Sequence, residues 1–229
     1  MKFIVIEGLD ASGKSTQINL LRNYLEHKNI KFKYLHFPRP DSPIYGELVT
    51  MFLRGELGSI KSANPYLVSL IYAGDRNDAK PLINKWLKNN YIVIADRYVY
   101  SNIAFQCAKI EDKRKKNKLK DWIKYLEFNY NKIPIPDFSL FLDVPFDFTS
   151  RKLTEKRSGE DRGYLKGKQD IHEENLYFQN KVRNEYLSLV NEDEKIHLIN
   201  CSLNKESILP PEKIFEKILH SLLKENIFD

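Results

Sequence analysis

Short apolar runs alternate along this chain with longer segments in which apolar residues recur three and four positions apart. The short runs are rich in β-branched and aromatic residues and are predicted to be buried strands: residues 3–6, 32–37, 91–95, 138–142 and 196–199. The longer segments are predicted to be helices: residues 15–28, 64–89, 100–109, 119–130, 172–190 and 210–226. The second of these helices begins at Asn64-Pro65, a typical N-cap followed by a first-turn proline.

This order of elements predicts an α/β fold. Strands that alternate with helices form a parallel sheet, joined by right-handed crossovers and covered by helices on both faces. We expect a three-layer fold around a parallel sheet of about five strands. The 229 residues suit a single domain, residues 1–229, because an α/β chain of this length buries a full core without a second domain. Ligands of such folds bind at the carboxyl ends of the strands, so the residues that follow each strand are the candidates for function.

A glycine-rich turn follows the first strand. It matches the phosphate-binding pattern G-x-x-x-x-G-K-S and lies between a predicted strand and a predicted helix, the context that this pattern requires. Backbone N–H groups of such a turn bind phosphate oxygens, Lys14 reaches the β- and γ-phosphates, and the Ser15 hydroxyl holds Mg²⁺. The turn therefore predicts a P-loop fold that binds a nucleoside triphosphate. Its candidate nucleotide-binding residues are Gly8, Leu9, Asp10, Ala11, Ser12, Gly13, Lys14, Ser15 and Thr16.

The next two strand ends carry residues suited to a second phosphate. Arg39 follows the second strand, and Asp96-Arg97 follows the third. An aspartate at this position holds Mg²⁺ through water, and the adjacent arginine binds a second phosphate group. Tyr72 and Arg76 lie four residues apart on a predicted helix and share a face, where a ring stacks on a base and a guanidinium reaches its phosphate. These residues point to a nucleotide acceptor.

Two charge-rich stretches interrupt the alternation. Residues 111–120 contain Lys113-Arg114-Lys115-Lys116 without interleaved aromatic residues, which favours a solvated loop or a helix start over a nucleic-acid surface. Residues 151–168 combine many basic residues with glycines, a composition suited to a mobile basic lid over approximately residues 151–170. An ordinary surface loop is the alternative for this second stretch.

Composition limits the partners and the location. The formal net charge of +6, from 37 Lys+Arg and 31 Asp+Glu, suits an anionic small molecule as readily as a nucleic acid. Without a basic stretch interleaved with aromatic residues, we expect no nucleic-acid partner. Cys107 and Cys201 lack metal-ligand neighbours and are expected to be buried small side chains in a reducing compartment. With no signal stretch and no transmembrane-length run, we expect a cytoplasmic enzyme without a membrane partner.

These elements together resemble the thymidylate kinase family. The resemblance spans nearly the whole chain, and its elements occupy the strand ends in a specific order. The F-P-R and D-R-Y elements separate this family from adenylate and guanylate kinases. The matching segments are the phosphate loop with Gly8-Leu9-Asp10, Phe37-Pro38-Arg39, Tyr72 to Arg76, Asp96-Arg97-Tyr98 with Ser101-Asn102, Pro136-Asp137, and the helix around Phe178, Val182, Arg183 and Tyr186.

The resemblance implies the reaction. A thymidylate kinase transfers the γ-phosphoryl group of ATP to dTMP, giving ADP and dTDP for dTTP synthesis, with Mg²⁺ and as a homodimer. Such a transfer requires alignment and charge neutralisation rather than a protein nucleophile, because the acceptor phosphate is itself the nucleophile. The catalytic residues that the resemblance implies are Lys14, Asp96, Arg97, Arg157 and Arg162.

The resemblance also implies contacts to the sugar and phosphate of dTMP. Asp10 would accept a hydrogen bond from the deoxyribose 3′-hydroxyl, and Phe105 would crowd the 2′ position and disfavour ribonucleotides. Arg39 and Arg97 would bind the acceptor phosphate. Many relatives have a tyrosine after F-P-R where this chain has Pro40, which leaves one sugar contact unassigned.

Further contacts are implied for the base. Phe37 and Tyr72 would hold the thymine ring, with Tyr72 stacked on its face. Asn102 and Gln106 would lie along the edge of the base or sugar, and Arg76 would reach the base as well as the monophosphate.

The lid supplies the remaining implied residues. Arg157 and Arg162 resemble the arginines that close on the transferring phosphoryl group, and Glu173 matches an acid of the dTMP site at the end of the lid. Some relatives place a cation within the phosphate loop, but here that position is Ala11. The neutralising charge is therefore expected to come from the lid, as in bacterial-type members.

Other functions are open at this point. A deoxynucleoside kinase needs a base for the hydroxyl proton, and Glu7 after the first strand is a candidate. A kinase of another monophosphate is a second alternative. A P-loop switch without phosphotransfer is a third, but it leaves the second phosphate-facing cluster without a purpose. Arg39, Arg76 and Arg97 favour an acceptor that already carries a phosphate.

Overall fold

A parallel sheet forms the middle layer of the computed structural model, which describes residues 2–154 and 176–228. The 5 strands have the order β2-β3-β1-β4-β5, and every neighbouring pair is parallel. Each strand lies where an apolar run predicted one, so the predicted α/β fold is confirmed. The strands are β1 (Phe3–Gly8), β2 (Phe32–His36), β3 (Ile92–Asp96), β4 (Phe138–Asp143) and β5 (Ile196–Asn200).

Helices connect the strands and cover both faces of the sheet. A turn of π-helix, Tyr125–Tyr130, follows the fifth α-helix directly. In the described part of the chain the α-helices are α1 (Lys14–His27), α2 (Tyr45–Leu53), α3 (Pro65–Lys88), α4 (Val99–Cys107), α5 (Lys113–Lys124), α6 (Phe146–Thr154), α7 (Leu176–Glu192) and α8 (Pro211–Lys224). The predicted N-cap is confirmed, because the Asn64 side chain accepts a hydrogen bond from the backbone N–H of Tyr66 at 2.9 Å.

The structure adds helices that periodicity did not predict. The helices α2 and α6 were not predicted, and α6 overlaps the start of the predicted lid. The predicted helix at residues 119–130 instead begins at Lys113, where Asp112 caps it by accepting from the N–H of Lys115 at 2.8 Å. The basic stretch is therefore a helix start, one of the two expected forms. The rest of the lid and the predicted helical residues 172–175 lie outside the described residues.

Two hydrophobic layers enclose the sheet. On one face, α1 and α8 bury apolar residues three and four positions apart, among them Leu21 and Ile218. On the other face, α3, α4, α5 and α7 pack around residues such as Ile103 and Val182. All residues of β1, β3 and β4 are buried, which explains why these strands read as continuous apolar runs rather than as alternating ones. The sheet and the helices on its two faces therefore form three layers.

The carboxyl ends of three neighbouring strands meet at one edge of the sheet. Asp96, the last residue of β3, lies in register with Ile6 on one side and with His36 on the other. The loops after β1, β2 and β3 therefore leave the sheet side by side. Cys107 and Cys201 are free and buried, as predicted. No helix in the described ranges is both long and apolar enough to span a bilayer.

Candidate active site

The loop between β1 and α1 has the backbone of a phosphate-binding turn. Gly13 precedes α1 with φ 81°, and Ala11 also has a left-handed φ of 62°. A side chain at Gly8 would place its Cβ 2.7 Å from Ser12 Oγ, so the loop closes only around a glycine. No side chain caps the start of α1, which leaves its first N–H groups for an anion.

The Lys14 ammonium lies against this loop. Its Nζ donates to the carbonyl oxygens of Leu9 at 2.8 Å and Gly8 at 3.3 Å, and its side chain is buried. Burial lowers the pKa of Lys14 to about 8, and the charge of Arg97 adds to this effect, while Asp96 and Asp10 oppose it. The predicted phosphate-binding lysine therefore sits within the electrostatic reach of the residues that follow β3.

Asp96 supplies an unused carboxylate oxygen at the same edge. Its Oδ1 is buried without a hydrogen-bond partner among the described residues, and its Oδ2 lies 3.3 Å from His36 Nδ1. Burial raises the pKa of Asp96, but the hydrogen bond from His36 and the charge of Lys14 outweigh it and hold the pKa below its ordinary value. Ser15 is exposed at the start of α1. Hard oxygen ligands of this kind fit Mg²⁺.

Arg97 is held rigidly between the phosphate loop and α4. Its φ of 65° is left-handed, and its guanidinium donates to Asp10 Oδ1 at 2.7 Å and to Ser101 Oγ at 3.2 Å. It also lies 5.2 Å from the centre of the Phe105 ring. Burial acts to lower the pKa of Arg97, but the nearby Asp10, Tyr186, Asp96 and Glu7 together outweigh it and raise the pKa. The structure thus brings Asp10, Arg97 and Phe105 together.

The helix α7 is fastened to the same loops by residues that the sequence did not single out as contacts. Gln179 Nε2 donates to Asp10 Oδ2 at 2.9 Å. Arg183 forms a two-pronged ion pair with Asp143 at the end of β4, with distances of 2.7 and 2.8 Å. These bonds fasten α7 to the phosphate loop and to the end of β4.

Glu7 lies deep in the fold rather than at the substrate cleft. It is 0% exposed and accepts hydrogen bonds from the N–H groups of Tyr98 and Ser101 and from the Tyr186 hydroxyl at 2.9, 3.3 and 2.9 Å. Burial raises the pKa of Glu7, and the charge of Arg97 opposes this rise. The carboxylate therefore ties β1 to α4 and α7, a position unsuited to a base that abstracts a proton from a sugar hydroxyl.

Arg39 is docked on α3. Its guanidinium donates to Asp75 Oδ1 at 2.8 Å, to the Asp75 carbonyl at 2.8 Å and to Asp78 Oδ2 at 2.7 Å. Phe37, two residues earlier, is buried, with its ring centre 5.6 Å from that of Tyr98. The predicted phosphate-binding arginine is thus oriented by two carboxylates, and neither of these was predicted as a site residue.

Tyr72 and Arg76 occupy different environments although they lie on one helix. The Tyr72 ring is half-buried and packs edge-on against Phe52, with centres 6.3 Å apart. Arg76 is 2% exposed and forms a two-pronged ion pair with Glu127, with distances of 2.5 and 2.6 Å. Asn102 donates to the same carboxylate at 3.0 Å. Of the predicted pair, Tyr72 therefore lies at the cleft, whereas Arg76 lies inside the fold.

Buried polar atoms without hydrogen-bond partners in the described ranges lie on α4 and close to its end. These atoms are Asn102 Oδ1, both amide atoms of Gln106 and Nζ of Lys109, and Ser69 Oγ joins them from α3. Gln106 is completely buried. Arg157, Arg162 and Glu173 lie outside the described residues, and so their predicted roles stay predictions.

We expect Lys109→Met to raise the free energy of unfolding at neutral pH, with a gain that shrinks as the pH rises. Lys109 Nζ lies 4.8 Å from the centre of the Phe52 ring, and burial lowers the pKa of its amine from 10.5 to about 7. Between these values the unfolded chain holds a proton that the folded chain has released. The parent protein is therefore stabilised by rising pH, by up to about 1.4 kcal/mol per unit, and the methionine variant is not.

Urea denaturation at pH 6, 7, 8 and 9 measures this difference. The exposed Lys113 on α5 offers a matched control, since Lys113→Met removes an amine in contact with water. A parent protein and Lys109→Met variant with the same pH dependence of stability would contradict the expectation.

Comparisons with known proteins agree with this geometry. A family model described as thymidylate kinase matches residues 6–209. The thymidylate kinase of Fervidobacterium nodosum is 30% identical over 207 residues, covering 90% of this chain and 93% of that protein. The thymidylate kinase of Plasmodium falciparum is 29% identical over 204 residues, covering 85% and 90% respectively. The range matched by the family model includes the phosphate loop and the residues that follow β3.

A solved structure extends the likeness to the fold. The thymidylate kinase of Candida albicans superposes with a TM-score of 0.70 at 24% identity, covering 98% of this chain and 92% of that one. At this identity the superposition bears on the fold, and it matches the parallel sheet and its helical layers.

Proposed function

This chain belongs to the thymidylate kinase family, and we propose how its residues carry out the reaction of that family, the transfer of the γ-phosphoryl group of ATP to dTMP. The observation that carries the proposal is the meeting of Lys14, Asp96 and Arg97 at one edge of the sheet. Lys14 lies on the phosphate loop, Asp96 ends β3, and Arg97 is ion-paired to Asp10 of that loop at 2.7 Å. A donor site and an acceptor site therefore share one boundary.

The donor site is the loop and the start of α1. The uncapped N–H groups of α1 and the backbone of residues 8–16 bind the phosphates of ATP, with Gly8 and Gly13 providing the close approach. Lys14 leaves the carbonyls of Leu9 and Gly8 and binds the β- and γ-phosphates. Because these carbonyl groups are neutral, Lys14 leaves no unpaired charge behind when it moves from them to the phosphates.

Ser15 and Asp96 would hold Mg²⁺ between them, and their oxygens fit that ion. When bound, the ion neutralises negative charge on the β- and γ-phosphates. Asp96 Oδ1 is buried without a partner in the described part of the chain, and the low pKa of Asp96 keeps the carboxylate charged at neutral pH. His36, whose Nδ1 lies 3.3 Å from Asp96 Oδ2, fixes the orientation of the carboxylate.

The acceptor site lies between α3, α4 and the loops after β2 and β3. Arg97 and Arg39 bind the phosphate of dTMP, and the carboxylates of Asp10 and Asp75 hold these arginines in place before substrate binds. Such preorganisation lowers the cost of aligning the acceptor oxygen with the γ-phosphorus. Asp10 also accepts from the 3′-hydroxyl, and Phe105 blocks the 2′ position.

The base lies against the aromatic wall of α3. Tyr72 stacks on thymine, Phe37 supports the ring from the β2 side, and Asn102 and Gln106 face the edge of the base. Their buried atoms without partners in the described ranges support this assignment, because such atoms carry a desolvation cost that a polar ligand removes. Arg76, ion-paired with Glu127, lies behind the base site, and Glu173 completes the dTMP site from the end of the lid.

The lid closes over both nucleotides. Arg157 and Arg162 neutralise the transferring phosphoryl group within the lid of residues 151–170. We further propose that residues 1–229 act as one domain in a cytoplasmic homodimer, for which Leu67 and Leu70 offer a surface. These side chains on α3 are 63% and 48% exposed.

A coupled assay that measures ADP release with dTMP, dUMP, dGMP and thymidine tests the function. We expect dTMP to be the preferred acceptor and thymidine to give no turnover, because thymidine lacks the phosphate that Arg97 and Arg39 bind. Preferred use of thymidine would contradict the proposal and would return Glu7 to consideration as a base.

We expect Tyr72→Ala to weaken dTMP binding by about 1–3 kcal/mol, the range for a base that stacks on an aromatic side chain, and to spare ATP binding. Tyr66 on the same helix packs against Trp122, with ring centres 4.9 Å apart, and Tyr66→Ala is the matched control. Calorimetric titration of both nucleotides measures the effect. Equal weakening of dTMP and ATP in the Tyr72 variant would place this ring outside the base site.

A further inference from the structure

A fully buried carboxylate lies behind the proposed base site. Glu127 is 0% exposed and is carried by the π-helical turn Tyr125–Tyr130, an irregularity that often marks a functional position. Its Oε2 accepts from Arg76 Nε at 2.5 Å, and its Oε1 accepts from Arg76 Nη2 at 2.6 Å and from Asn102 Nδ2 at 3.0 Å. One carboxylate thus orients two residues of the dTMP site.

These contacts fix which way the Asn102 amide points. Asn102 Nδ2 donates to Glu127 Oε1 and to the carbonyl oxygen of Ser69 at 3.2 Å, and both of these partners accept only. An amide turned by half a rotation would bring its oxygen against two other oxygens. The nitrogen therefore faces Glu127 and Ser69, and Oδ1 is left buried without a hydrogen-bond partner among the described residues.

The neighbouring polar group has no such constraint. Gln106 lies one turn further along α4, is completely buried, and has neither amide atom bonded within the described part of the chain. Its amide can take either orientation and match a donor or an acceptor. Contacts within the protein therefore fix the orientation of the Asn102 amide and leave that of the Gln106 amide open.

We propose that Glu127 is a positioning residue that selects the base, by holding the Asn102 amide so that Oδ1 accepts a hydrogen bond from a ring N–H. The inference rests on the proposed function, since it places Asn102 at the base of dTMP. The bases that match are lactams, which carry a ring N–H beside a carbonyl. Cytosine presents an unprotonated ring nitrogen at that position, and two acceptors would then face each other at a buried site.

The pair dUMP and dCMP measures this selection, because the two differ only at ring position 4 and in the protonation of N3. Glu127→Gln leaves a single side-chain oxygen to accept from Arg76 and Asn102. The new NH₂ group of the glutamine gains an acceptor when the Asn102 amide turns its oxygen towards it. We expect the ratio of kcat/KM for dUMP to that for dCMP to fall about ten- to a hundredfold, with the KM for ATP unchanged.

A buried ion pair away from the base supplies the control. Asp143→Asn makes the same change in the two-pronged pair with Arg183. We expect this variant to keep the parent ratio of dUMP to dCMP. An equal fall in both variants, or a parent ratio in Glu127→Gln, would overturn the proposal.

Removing one charge of a buried ion pair, as Glu127→Gln does, often prevents folding, and a second variant avoids this problem. The double substitution Arg76→Met with Glu127→Leu replaces the pair by apolar side chains of similar volume, a change that proteins often tolerate, and it frees the Asn102 amide. The same fall in the ratio is expected, and a preserved ratio would overturn the proposal. If the parent protein fails to phosphorylate dTMP, the proposed function fails, and calorimetric binding of dUMP and dCMP to parent and variants still decides the role of Glu127.

Discussion

Lys14→Met lowers kcat by about 10²–10³, the loss expected when one preorganised donor to the transition state is removed. Lys14 is the cation of the described phosphate loop, and Ala11 occupies the position where a second one is found in some relatives. In the unliganded loop the ammonium is held by the carbonyls of Leu9 and Gly8, within reach of the phosphates but not paired with a carboxylate. The full charge is therefore delivered to the transferring group.

Single-turnover kinetics with saturating ATP and dTMP measures this effect separately from product release. Lys2→Met, on the same strand–helix unit but before β1, is the control and should retain the parent rate. Lys14→Met should also keep the parent affinity for dTMP, because the acceptor site is built by other residues. A loss of less than about tenfold in the chemical step would contradict the assignment of Lys14 to the transition state.

The fold could be predicted from the sequence because the strands of a doubly covered sheet read as short continuous apolar runs. Every residue of β1 and β4 is buried, and these runs stand out against the helical spacing around them. The helix α2 was missed although Val49, Phe52 and Leu53 have helical spacing, because it is short and follows a proline-containing loop. The π-helical turn leaves no mark in the spacing, since an inserted residue changes the hydrogen bonding and not the composition.

The sequence indicates site residues that directly follow a strand. It does not indicate residues that form ion pairs with positions far away in the chain. The phosphate loop and Asp96-Arg97 follow their strands directly, so the topology alone brings them together. The carboxylates that orient the arginines are far away in the chain: Glu127 lies 51 residues from Arg76, and Asp75 lies 36 residues from Arg39. Nothing in a single sequence links such positions, although the burial of a charged residue in an apolar layer requires a partner.

Three arginines of the proposed acceptor site share a property that bears on catalysis. Arg97 is paired with Asp10, Arg39 with Asp75 and Asp78, and Arg76 with Glu127. Arg76 and Arg97 each have one carboxylate partner and Arg39 has two, so none of these groups carries a net positive charge. These arginines therefore orient the acceptor more than they offset the charge that develops during transfer. We therefore expect the neutralising charge beyond Lys14 and Mg²⁺ to come from the predicted basic lid.

Replacing Arg157 or Arg162 by methionine should therefore lower kcat by about 10³–10⁵, the range for an arginine that reaches the transferring phosphoryl group, with small effects on either KM. The expected loss is larger than that for Lys14→Met, since an arginine that reaches the transferring phosphoryl group contributes more to kcat than a single preorganised donor. Steady-state kinetics of both variants identifies which arginine acts. Lys166→Met removes a positive charge from the same predicted lid at a position to which the resemblance assigns no role, and it should behave as the parent protein. A loss of about tenfold or less in both arginine variants would refute the role of the lid and would require that one of the ion-paired arginines release its carboxylate during the reaction.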